Sequence, residues 1–104
     1  MQAPDQPETN SKLRTLELTT RERDLLLEYG YPFPDEEKIL SQSNAVQGMH
    51  RVKIDAYWME MMIGDLVRSA KEIHKQSLLN ELDELCTVLE LALDSRPKLH
   101  VVDF

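Results

Sequence analysis

The sequence predicts an all-α fold: a small helical bundle built on a long antiparallel helix hairpin, with two short N-terminal helices. Three observations carry that expectation. Met49, Val52, Ala56, Met59, Ile63, Leu66, Ala70 and Ile73 recur at alternating spacings of about three and four residues, which makes one continuous apolar stripe on a helix. Leu, Glu, Lys, Arg, Met and Ala, the good helix formers, dominate the chain after Thr19. Gly30, Gly48 and Gly64 are the only glycines, too few for a loop-rich or β-rich chain.

With 104 residues the chain fits one domain with a modest core. Positions 1–11 hold Pro4, Pro7 and polar side chains with little to bury, and read as a flexible tail. Positions 12–104 form the single helical domain. Leu16 and Leu18 alternate with polar neighbours. That run is short enough to be extended or a turn of helix.

Thr19 starts the first short helix. Thr19 and Glu22 have the spacing of a capping box, in which the hydroxyl accepts from the Glu22 amide and the carboxylate reaches back. Leu25, Leu26 and Leu27 give it an apolar face, and Gly30 closes it in the left-handed conformation. Tyr31-Pro32-Phe33-Pro34 cannot lie inside a helix. Asp35 caps a second short helix that buries Ile39 and Leu40.

Ser43 or Asn44 then caps a long helix from Val46 to about His74, roughly 42 Å in length at the standard rise. Ile54, Tyr57, Trp58, Met61 and Met62 give this helix a second apolar side. These five residues are the candidate interaction surface. Gly64 lies inside the helix, where a glycine costs about 1 kcal/mol relative to alanine; close approach of another backbone would account for it. Extending the stripe by heptads lands on Ser77, Asn80, Glu84 and Thr87, all polar, whereas the apolar set is Leu78, Leu82, Leu85, Leu89 and Ala92. The change of phase predicts a turn at Lys75-Gln76-Ser77 and a last helix over Leu78–Asp94. Leu99, Val101, Val102 and Phe104 are expected to fold back onto the bundle.

Composition narrows the function. A formal net charge of −7 disfavours nucleic acid and anionic lipid as partners and favours a basic protein. Within Thr19–Asn44, Arg21, Arg23 and Lys38 are outnumbered by Glu22, Asp24, Glu28, Asp35, Glu36 and Glu37, the reverse of what a DNA-reading helix pair needs. The most apolar window, Tyr57–Val67, contains Glu60 and Asp65 and is too short to span a bilayer. Positions 1–11 show no apolar signal segment. One cysteine, Cys86, allows no intrachain disulfide, which suits a cytoplasmic protein.

Candidate chemistry is sparse. Cys86 sits on the apolar face of the last helix without a local nucleophile signature and reads as a buried small hydrophobe. His50 and His74 would be about 36 Å apart along one helix, too far to share a metal. Glu60 and Asp65 read as rim carboxylates paired with Lys or Arg. The sequence therefore predicts no catalytic, metal or cofactor site and no small-molecule ligand. It predicts a non-catalytic cytoplasmic protein that binds protein, with a homodimer as the expected assembly. Two alternatives are an acidic inhibitor or antitoxin-like partner of a basic protein, and a small enzyme or enzyme subunit whose site forms at an oligomer interface.

Overall fold

The computed structural model describes residues 12–94. The expected tail over 1–11 and the fold-back of Leu99 to Phe104 lie outside the described residues. The fold is not all-α. Over the described residues it is a mixed α/β fold in which four helices pack on one face of a three-stranded antiparallel sheet. The elements in order are β1 (Leu13–Thr19), α1 (Thr20–Tyr29), α2 (Pro34–Ser41), β2 (Ala45–Val46), β3 (Met49–Asp55), α3 (Ala56–Ala70) and α4 (Gln76–Leu93). The strand order is β1-β3-β2.

The long helix expected from Val46 is in fact a hairpin, a strand and a shorter helix. His50, Val52 and Ile54 are buried, and Met49, Arg51 and Lys53 between them are exposed. That is the two-residue period of a strand with one face covered. β1 alternates the same way, with Leu16 and Leu18 fully buried and Leu13, Thr15, Glu17 and Thr19 exposed. The two strands pair over their whole length, with Leu16 opposite Val52 and Leu18 opposite His50. On the open face Glu17 meets Arg51 at 3.0 Å. Gln47 and Gly48, at φ 54° and 83°, connect β2 to β3. Two central residues with positive φ make a type I′ turn, whose twist matches that of the strands it joins.

Each long strand runs straight into a helix. Thr19 ends β1 and caps α1 through the expected box: its hydroxyl accepts from the Glu22 amide at 3.1 Å, and its own amide donates to Glu22 Oε1 at 2.9 Å. Asp55 ends β3 and caps α3, its carboxylate accepting from the Tyr57 amide at 2.8 Å. Because the strands are antiparallel, α1 and α3 leave from opposite ends of the sheet and return across the same face.

Several local expectations shift. Gly30 ends α1 at φ −92°, not in the left-handed region. A β-carbon there would lie 2.7 Å from both the carbonyl oxygen and Cδ1 of Leu26, so close packing is what requires the glycine. The left-handed residue is Tyr31, at φ 47°. α2 starts at Pro34, with Phe33 as its N-cap and Asp35 inside its first turn. Proline suits that position, because the amide it lacks would have no helical partner. The change of phase does mark a break between two helices, but α3 ends at Ala70 and α4 starts at Gln76, capped by Lys75 without a side-chain bond.

The core joins the sheet to all four helices. Leu16, Leu18, Val52 and Ile54 meet Leu25 and Leu26 of α1, Leu40 of α2, Met59, Met62 and Leu66 of α3, and Leu82, Leu85 and Leu89 of α4. Ser69 donates to the Tyr29 carbonyl at 2.9 Å and so ties α3 to the end of α1. Arg21 and Glu81 tie α1 to α4 by two bonds of 3.0 and 2.8 Å, the forked geometry that favours arginine over lysine.

Two outcomes follow. Leu66 is 0% exposed, so Leu66→Ala should lower the unfolding free energy in urea by roughly 2–5 kcal/mol; a loss under about 1 kcal/mol would put this side chain outside the core. The bonds from Arg21 hold the Glu81 carboxyl below its usual 4.5. Its contribution is therefore present at neutral pH and is lost as pH falls through the lowered value. Glu81→Gln should destabilise slightly at pH 7, and the gap to the parent should close below pH 4.5. A gap that persisted in acid would mean that Glu81 acts by packing and not by charge.

Candidate interaction surface

The five residues expected to form one surface do not do so. Ile54, at 1% exposure, and Met62, at 2%, are core. Ile54 belongs to β3, so the helical phase that grouped it with Tyr57 and Trp58 does not apply to it. Trp58 is half-buried, with its ring 4.4 Å from that of Phe33 and 4.8 Å from that of Tyr57. Only Tyr57, at 57% exposure, and Met61, at 38%, face solvent.

What the structure builds is the outer side of α3. Met59, Met62 and Leu66 point inward. Opposite them, Tyr57, Met61, Gly64, Arg68 and Lys71 follow one another at spacings of four and three, which keeps them on one line along the helix. Val67, 49% exposed, and Glu60 flank that line. Phe33, 48% exposed, extends the apolar area beside Trp58. The line starts at the capped end of the helix, where the Asp55 bond and the Phe33 and Trp58 rings fix the backbone and side chains. Exposed aromatics on a rigid element lose little freedom on binding and are the side chains that anchor protein interfaces.

The other candidate residues have structural settings. His50, expected on a helix, is buried on β3 at 4% exposure, and hydroxyls engage both ring nitrogens. The Ser43 hydroxyl donates to the Leu40 carbonyl at 2.7 Å. Its oxygen is then the acceptor for Nδ1–H at 2.8 Å, and in the neutral ring Nε2 accepts from Thr20 at 2.9 Å. The imidazole thus joins the start of α1 to the link between α2 and β2. Nothing in this set of bonds aims a base at solvent. Asp65 pairs with Arg68 on the same helix, and Glu60 is exposed. Among the described residues no group of three or more His, Cys, Asp and Glu side chains could hold a metal.

Cys86 is half-buried beside a groove of about 440 Å3 between α3 and α4, whose walls include Leu66, Val67, Ala70, Leu79 and Asp83. Burial, then the charges of Glu90 and Asp83, push the thiol pKa up. That is the wrong direction for a nucleophile, which needs the thiolate near neutral pH. Among the described residues no helix is long and apolar enough to cross a membrane.

Reading the sequence as helix through Val46–His74 found Tyr57 and Met61 but missed Val67 and Arg68, which share their exposed side. The signal was available in the spacing from Tyr57 to Lys71, once the strand is removed from the pattern. Comparison of the chain with protein families, curated proteins and solved structures finds no match.

Proposed function

We propose that this protein is a non-catalytic interaction module that works by self-association through the outer side of α3. The observation that carries the reading is the exposure of Tyr57, Met61 and Val67, at 57, 38 and 49%, on one side of a helix whose other side is fully packed. Among the described residues these side chains stay largely at the surface, with Tyr57 resting one ring edge on Trp58. Exposed apolar side chains gathered on one side of a rigid element mark an interaction site where they join into a patch. Twofold homodimers are the commonest closed assembly available to such a patch. The setting of His50 and the raised pKa of Cys86 support a non-catalytic role. The reading places the protein in the cytoplasm, in keeping with its single cysteine.

A second reading, an acidic partner for a basic protein, is favoured by one observation. α4 carries Glu81, Asp83, Glu84 and Glu90 with no lysine or arginine between Gln76 and Leu93. It would use a different face of the molecule.

Light scattering across a concentration series tests the first reading. The mass should rise from near 12.1 kDa toward twice that value. Met61→Glu, at an exposed position, should return it to the monomer mass with the helical circular dichroism unchanged. A mass that stays at the monomer value over the whole series contradicts self-association. A dimer that Met61→Glu leaves intact moves the interface away from α3.

A further inference from the structure

Among the described residues nothing packs closely against Gly64. A β-carbon added there would meet only the far end of Arg68, with Nη1 at 3.8 Å, an ordinary contact. Among the described residues no backbone of another element comes within 4 Å of that position. A glycine in the middle of a helix weakens that helix. Here it stands at the centre of the exposed line formed by Tyr57, Met61, Arg68 and Lys71. The spacing of four, three, four and three is that of a seam between two helices, about 21 Å long.

The charges on and beside the line are arranged asymmetrically about that centre. Tyr57, Glu60 and Met61 lie before Gly64, and Val67, Arg68 and Lys71 lie after it. We infer that α3 packs antiparallel against α3 of a second copy, with the twofold axis at Gly64. This rests on the self-association reading and specifies its geometry. A residue n places before Gly64 then faces the partner's residue n places after it. Glu60 meets the partner's Arg68, Met61 meets the partner's Val67, and Tyr57 meets the partner's Lys71. Each pair is complementary: opposite charges, apolar on apolar, and an ammonium over an aromatic face. The aliphatic stems of Arg68 and Lys71 cover apolar area while their charges reach the rim. A parallel pairing would place Glu60, Arg68 and Lys71 each against its own copy, with like charges opposed. Arg68 already bonds Asp65, and its five donors allow it to hold the partner's Glu60 as well. At Gly64 the missing side chain lets the two backbones come close, as small residues do where helices cross.

A seam of this length belongs to the weak end of specific interfaces, so the dimer should dissociate on the order of micromolar. Sedimentation equilibrium from about 1 to 200 micromolar covers that range. Gly64→Leu should raise the dissociation constant at least about tenfold, while melting no lower than the parent. Glu60→Arg and Arg68→Glu should each weaken the homodimer, because each opposes like charges across the axis. Mixing those two variants should restore a heterodimer of near-parent affinity, since every cross-axis pair is then opposite in charge. A dimer that Met61→Glu disrupts, but that tolerates Gly64→Leu and is not restored by mixing, overturns this geometry and leaves the interaction face in place. A parent protein that stays monomeric throughout overturns both.

Discussion

The antiparallel ladder between β1 and β3 is the constraint on which the other elements depend. It joins residues 13–19 to residues 49–55 in an unbroken register. Because each strand ends in a helix cap, Thr19 for α1 and Asp55 for α3, the ladder also sets where those helices start. Ala56, the first residue of α3, donates its amide to the Lys12 carbonyl at 2.8 Å, so the helix begins while still tied to the sheet. Leu16, Leu18, Val52 and Ile54 then supply the apolar floor on which Met59, Leu66, Leu82, Leu85 and Leu89 close. A slip of one residue would turn that floor to solvent. The buried His50, bonded to Thr20 and Ser43, ties the end of the ladder that lies nearest β2.

Much of the helical part was legible in the sequence. The Thr19–Glu22 box, the end of α1 at Gly30 and the break between two C-terminal helices rest on local chemistry that tertiary packing left in place. Met59, Leu66, Leu82 and Leu89 occupy the core for the reason their spacing suggests. The sheet was not legible because its inward positions are disguised. Arg14, Leu16 and Leu18 pair with Ile54, Val52 and His50, so each long strand gives one of its inner positions to an ionisable residue. Arg14 manages this by donating to the Leu93 carbonyl at 3.1 Å, and His50 by its two hydroxyl partners. Counted as polar, both residues break the alternation. Met49, Val52 and Ala56 meanwhile happen to fit the helical period of the true helix that follows. Gln47-Gly48 is also a weaker hairpin signal than Asn-Gly, although it adopts the same turn.

Taking Met49–Asp55 as helix has a direct consequence for the candidate interaction surface. Drawing one helix through the strand placed Ile54 beside Tyr57 and Trp58, and it counted Met62 as outward. With α3 starting at Ala56, the buried side is Met59, Met62 and Leu66, and the opposite side becomes a distinct line with glycine at its middle. The sheet thus supports the functional reading as well as the fold. It shortens the helix, fixes its first turn, and so determines which residues remain outside.

The strand character of Met49–Asp55 is the central claim, and a proton NMR measurement of cross-strand contacts tests it most directly. The bond from Ala56 to Lys12 sets the phase of the ladder. Thr15 opposite Lys53 and Glu17 opposite Arg51 are then non-hydrogen-bonded pairs, in which the α-carbons come closest. Strong contacts between the α-protons of Thr15 and Lys53, and of Glu17 and Arg51, are the predicted result. Sequential amide-to-amide contacts running unbroken from Met49 through Asp55, with no cross-strand α-proton contact, would show a helix there and contradict the account.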